Sequence, residues 1–195
     1  MSREERKRQT RKSLLDSALG LIEQGQHFSN ISLREVAKNA GVVPTSFYRH
    51  FQDMEELGLN LIDEFSVLLR RTRSELLSSD ESLSIERLLT VFVEIIQTNT
   101  AIFTFIPQCR TSEHLEIRTA IRREAQGLSD ELASELRVRY PNLNRHELGQ
   151  LSQVIVHLLL DAIVDVLDQL GRGKATDTVA DEYVQKVALL AGLLK

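Results

Sequence analysis

A single cysteine, Cys109, stands in a chain of 195 residues. It has no internal partner, which excludes a disulfide scaffold and a cysteine-based zinc site and leaves a reducing cytoplasm as the expected setting. Tryptophan is absent, and aromatic residues make up only 5% of the chain. No apolar run is long enough to cross a bilayer, and the stretch 154–164 is broken by His157 and Asp161. No segment alternates apolar and polar residues over a strand's length. No Asn-Gly or Asp-Gly pair marks a hairpin, so a β architecture is not expected. A Gly-rich phosphate loop, a nucleophile elbow and a His-Glu-x-x-His pattern are all missing, which argues against an enzyme. The first twelve residues are charged throughout and have no apolar core behind them, unlike a signal peptide.

What is present is a hydrophobic fraction of 42%, enough for a folded chain with a sizeable core. The net charge of -4 hides an asymmetry. Residues 1–50 carry nine Lys/Arg against five Asp/Glu, and the remainder carries 15 against 23. Arg3, Arg6, Lys7, Arg8, Arg11 and Lys12 crowd the start. A basic end on an acidic body points to an anionic partner for that end, against the plainer reading of a solvated helix start.

Helical periodicity runs through the chain, and an all-α protein of about nine helices is expected. Leu14, Leu15, Ala18, Leu21 and Ile22 form one stripe, closed by Gly25. Ser32 and Glu35 form a capping box, with Ile31 and Val36 as its hydrophobic staple, for a helix over 33–39. Gly41 suits a tight turn. Pro44 suits the first turn of a third helix reaching Phe51. Asp53 and Glu56 start a fourth. After a break at 78–82, helices are expected at 83–98, 99–107, 113–139, 144–171 and 177–194, with Pro107 interrupting the run after Ile106. The last two are apolar over a wide arc, so each lies at the domain centre or meets a partner chain.

Residues 33–51 have helix-turn-helix dimensions. At 100° per residue, Phe47 and Phe51 face a small core, while Thr45, Arg49 and Gln52 lie opposite, flanked by Ser46 and Tyr48. That outer face holds hydroxyls and a guanidinium and has no carboxylate before Asp53. It can approach DNA, with Arg49 suited to guanine, Thr45 to a base edge, and Tyr48 and the basic start to phosphates. A plain helical hairpin with a polar outer face is the structural alternative.

The run Ile31-Ser-Leu-Arg-Glu-Val-Ala-Lys-Asn-Ala-Gly-Val-Val-Pro-Thr-Ser-Phe-Tyr-Arg-His-Phe51 resembles the DNA-binding domain of TetR-family repressors, most specifically in its Ala-Gly-Val turn and Phe-Tyr-Arg-His-Phe ending. Together with the Asp-Met-Glu-Glu-Leu-Gly that follows, it looks like the FabR/DesT-like regulators of unsaturated fatty-acid synthesis. The resemblance implies a three-helix helix-turn-helix domain over residues 1–52 and a larger helical effector-binding and dimerisation domain over 53–195. It implies a homodimer joined through the last two long helices, on palindromic double-stranded operator DNA, with Arg34, Tyr48 and His50 as backbone anchors. His50 also reads as a packed histidine bonded to backbone. Met54 stands where many members carry a phosphate-binding Lys.

The resemblance further implies a hydrophobic effector such as a long-chain acyl-CoA, with no cofactor. Phe92, Ile95, Ile96, Phe103, Phe105 and Ile106 are apolar pocket candidates, each of which reads more simply as core. Arg110 suits a phosphate or carboxylate at a pocket mouth. His157 and Asp161 suit the polar end of a ligand, or with Asp165 a network across the dimer; two i, i+4 ligands are too few for a metal site. The rival readings are a regulator of efflux or catabolic genes sensing another hydrophobic molecule, an enzyme built on the His157/Asp161 face, and a helical adaptor whose third helix docks a protein groove.

Overall fold

The computed structural model describes residues 2–78 and 85–192. The break expected around Ser79 to Ser82, and any helix beyond Gly192, lie outside them. The described residues form α1 (Arg3–Glu23), α2 (Leu33–Asn39), α3 (Pro44–Phe47), α4 (Met54–Ser78), α5 (Ile85–Thr98), α6 (Thr100–Arg110), α7 (Leu115–Arg139), α8 (Arg145–Gly171) and α9 (Asp177–Gly192). A 3-10 turn at Phe28–Asn30 joins α1 to α2, and no strand occurs among the described residues.

Local chemistry sets most boundaries. Ser32 Oγ accepts the Glu35 N–H at 3.3 Å while the Glu35 carboxylate accepts the Ser32 N–H at 2.9 Å. Asn144 and Glu147 do the same for α8. A third such box, Ser2 with Glu5, starts α1; it was not among the expected helix starts, although the same Ser-x-x-Glu spacing marks it. Gly41 sits at φ 70°, a conformation that costs other residues energy, and lets the Val42 N–H reach Ala37 O at 2.9 Å.

Two expectations are corrected. The third helix does not run to Phe51. It is a single turn over Pro44–Phe47, continued by tighter bonds such as His50 N–H to Phe47 O at 2.8 Å. Val43 provides no side-chain cap, and Thr, Ser and aromatics in succession hold a helix weakly. Pro107 does not end its helix, since α6 continues to Arg110. A proline within a helix costs about 3 kcal/mol. Ile102, Phe103, Phe105, Ile106 and Cys109 are all buried along α6, and each large apolar side chain returns about 1.5–3 kcal/mol.

The chain divides into two compact units, one of Met1–Leu68 with Thr100–Ile121, the other of Leu69–Asn99 with Arg122–Lys195. The boundary expected at 52 falls inside the first unit, because α4 packs there: Phe65 meets Phe103 edge-on at 5.3 Å, and Gly58 lies against Phe28 and Ile117. A Cβ at Gly58 would stand 2.7 Å from Ile117 Cδ1 and 3.0 Å from Phe28 Cζ. Both side chains are buried, and the Phe28 ring is held edge-on by Phe105 at 4.9 Å. Gly58→Ala is therefore expected to destabilise the chain by about 1–3 kcal/mol despite alanine's higher helix propensity, read as a lower denaturant midpoint.

In the second unit, Arg73 of α4 bonds Glu131 and Glu135 of α7, and Arg70 pairs with Glu124. Leu136, Leu148, Leu151, Ile155 and Val187 form one apolar cluster. The Tyr183 hydroxyl donates to Asp165 at 2.7 Å, tying α9 to α8. Burial, then that bond, push the Tyr183 phenol well above its ordinary pKa.

Candidate nucleic-acid interface

The first unit builds a rigid mount for α3. Ser17 Oγ of α1 donates to Val36 O of α2 at 2.8 Å, within the core. Phe47 is fully buried, 5.6 Å from Phe51 and edge-on to Tyr48 at 6.0 Å. The Arg11 guanidinium lies 5.0 Å over the Phe51 ring and donates to Asn60 Oδ1 of α4. Three elements thus fix the turn that follows α3.

With Phe47 and Phe51 inward, Thr45, Arg49 and Gln52 come out exposed, as the wheel requires, and Ser46 is half-buried. Tyr48 is 60% exposed although it is an aromatic residue. Arg34 is exposed in the first turn of α2.

The nearby carboxylates are engaged locally. Glu35 is tied to Ser32, and those hydrogen bonds hold its carboxyl below the usual range. Glu56 accepts the Gln52 N–H at 2.6 Å, and Asp53 accepts the Glu56 N–H at 2.8 Å. That last bond occupies one of the helix-start donors next to Met54. The cations are left over: Lys12 pairs with Asp16 and His114 with Glu55, while Lys7, Arg34, Lys38 and Arg49 form no ion pair among the described residues. The result is an exposed face of hydroxyls, one phenol and uncompensated positive charge, which attracts polyanions.

His50 is half-buried, and its Nδ1 is buried with no hydrogen-bond partner among the described residues. A histidine bonded to backbone through that nitrogen is thus not what the structure holds. Burial first, then Lys7, Arg11 and Arg49, push its pKa below the ordinary histidine range.

The effector candidates divide between the units. Phe103 and Phe105 are fully buried in the first, in ring contact with Phe65 and Phe28 respectively, and Arg110 is half-buried there. Ile96 is fully buried in the second unit, Phe92 is half-buried, and His157 and Asp161 are exposed on α8. The His157 ring bonds Gln153 O through Nδ1 at 2.7 Å. Cys109 is buried, and burial pushes its thiol up to about 12, so it packs as a small apolar group.

Among the described residues, no single helix is long and apolar enough to cross a membrane. The family model described as bacterial regulatory proteins, tetR family, matches residues 14–60, which hold α2, α3 and the exposed Thr45–Arg49 face. A helix-turn-helix-type transcriptional regulator of Haemophilus influenzae is 35% identical over 193 residues, covering 96% of this chain and 88% of the relative. Solved structures share the fold. A transcriptional regulator (TerR/AcrR family) from Aquifex aeolicus superposes with TM-score 0.71 at 18% identity, over 93% of this chain and 99% of that one. The regulator FadR from Bacillus subtilis, in complex with stearoyl-CoA, superposes with TM-score 0.69 at 14% identity, over 90% and 96%. The likeness across nearly the whole chain, with the matched helix-turn-helix at its start, makes this protein a member of the TetR family of bacterial transcriptional regulators.

Proposed function

We propose that the chain represses transcription as a homodimer on a palindromic operator, and that long-chain acyl thioesters set its affinity for that operator. The observation that carries the DNA half is the exposed Thr45, Tyr48 and Arg49 face beside unpaired cations, with the carboxylates of Glu35, Asp53 and Glu56 already bonded. In this reading Arg49 and Thr45 read base edges, Ser46 supports them, and Arg34, Tyr48 and His50 hold backbone phosphates.

Dimerisation is supported by apolar surface left uncovered. Val154 and Val164 of α8 are 43% and 45% exposed, and Leu189 of α9 is 70% exposed. At 100° per residue, His157 and Asp161 fall on the same side of α8 as the two valines. In this reading they belong to the face offered to a second copy, where the dimer network suits them better than a ligand's polar end.

The lipid half rests on the motif likeness to the FabR/DesT-like regulators and is supported by the fold shared with FadR in its stearoyl-CoA complex. Phe103 and Phe105 are already committed to ring contacts, and Arg110 lies in their unit, so Phe92 and Ile96 of α5 are the residues proposed to meet an acyl chain. The test is fluorescence anisotropy on a labelled operator with stearoyl-CoA, an unsaturated acyl-CoA of equal length, and coenzyme A alone. The expected result is that the two thioesters shift the dissociation constant by different factors while coenzyme A leaves it unchanged. Specific binding that neither thioester moves would overturn the lipid half and favour another hydrophobic effector, as in a regulator of efflux or catabolic genes.

A further inference from the structure

The exposed residues of α8 follow one stripe along the helix. At 100° per residue, His146, Gln150, Gln153 and His157 lead into Asp161, Asp165 and Asp168 on the same side. Val154 and Val164 are the large apolar residues exposed on it. The two halves of the helix differ in charge. Between Arg145 and Leu158 the one carboxylate is Glu147, which is engaged in the capping box with Asn144. Between Leu159 and Gly171 stand three aspartates and no cation. Arg172 pairs with Asp168 and the Tyr183 hydroxyl with Asp165, so part of that charge is answered within the chain.

This order runs against the helix's own dipole. Arg145 and His146 occupy the positive N-terminal end and Asp168 the negative C-terminal end, each the unfavourable placement. Local helix chemistry therefore does not explain it. A second copy laid antiparallel does, because it sets a positive helix end beside the aspartates and an acidic half beside Arg145. A parallel copy would set aspartate against aspartate. The apolar positions agree: Val154 and Val164 stand equally far on either side of Leu159, and so do His157 and Asp161. A two-fold axis level with Leu159 brings Val154 to the partner's Val164 and His157 to the partner's Asp161. Gln153 and Gln150 then meet the partner's Asp165 and the partner's Asp168. A shallow groove bordered by Arg145, His146, Gly149, Gln150 and Gln153 offers a seat for the last turn of the partner's α8.

We propose that the exposed stripe of α8 is a self-complementary docking surface, pairing antiparallel with α8 of a second copy about a two-fold axis at Leu159. The proposal rests on the homodimer reading above and gives it a register. Each contact occurs twice by symmetry. A related chain lacking the same change from basic to acidic along this helix meets like charge and is rejected as a partner.

The test uses the full chain, with sedimentation velocity reading the dimer dissociation constant. His157 and Asp161 are exposed, so His157→Glu and Asp161→Lys should each fold. In the His157→Glu homodimer two glutamate–aspartate contacts repel, and self-association should weaken at least about tenfold. The Asp161→Lys homodimer should weaken too, since a lysine replaces the carboxylate beside each histidine. An equimolar mixture should recover the parent's affinity, because the mixed dimer holds one glutamate–lysine contact and one native contact. Disulfide trapping checks the register independently, with the parent as background because Cys109 is buried. Val154→Cys mixed with Val164→Cys should cross-link, and neither should cross-link with itself. Dimers that neither charge substitution weakens, a mixture no tighter than its components, or self-cross-linking of Val154→Cys would overturn the register and leave the homodimer standing. A parent chain that stays monomeric at the highest concentration reached would overturn the homodimer reading, and the proposal with it.

Discussion

Phe47→Ala is expected to cost about 3–5 kcal/mol of stability, the range for emptying a fully buried aromatic site. Phe47 has no exposed surface, and it is the residue through which α3 is anchored. An isolated four-residue helix has almost no stability of its own, so α3 exists by virtue of this packing. The neighbours give little scope for collapse into the vacated space. Phe51 carries the Arg11 guanidinium over its ring, and Tyr48 is mostly in solvent. Equilibrium urea unfolding followed by circular dichroism should show the midpoint fall, with DNA binding lost at concentrations where the parent chain binds. A loss under about 1 kcal/mol would mean that α3 is held by something other than this ring.

Arg49→Ala is expected to lose about 1–3 kcal/mol on the preferred duplex, because a bidentate guanidinium–guanine pair carries that much discrimination. The side chain is exposed, so the fold should survive with its unfolding midpoint unchanged. The loss on a scrambled duplex should be much smaller. Arg49→Lys should recover phosphate attraction but little of the discrimination, since an ammonium cannot present two parallel donors to one base. Equal loss on both duplexes would make Arg49 a pure phosphate contact and move the reading of bases to Thr45 and its neighbours.

Short-range chemistry is the part of this protein that its sequence displays most openly. Ser32 with Glu35, Gly41, and Asn144 with Glu147 act within a few residues of themselves, and the elements they bound came out as expected. Phe47 and Phe51 come out inward and Thr45 and Arg49 outward, as the angle between successive residues predicts, although Arg49 and Phe51 lie past the end of α3 in the tighter turn that continues it. Two boundaries failed for different reasons. Pro107 is tolerated since the rest of α6 is buried, and nothing local to Pro107 says so. The third helix stops short because its residues hold a helix weakly, which an i, i+4 pair of phenylalanines disguised. The packing of Gly58 against Phe28 and Ile117 brings together residues far apart in the chain, and periodicity along one helix carries no trace of it. The orphaned Nδ1 of His50 is likewise a tertiary fact; the wheel showed only that the ring turned partly inward.

The most direct test of the account is a random-sequence selection with the full-length chain, followed by anisotropy titration of the recovered duplex against a scrambled one. The account predicts a palindrome whose half-sites lie about one helical turn apart, roughly 34–36 Å, because a two-fold dimer would present two copies of the Thr45–Arg49 face to successive major grooves. It also predicts binding to that duplex at least about a thousandfold tighter than to its scrambled counterpart at physiological salt. Equal affinity for both duplexes, or a selection that enriches no sequence, would contradict it.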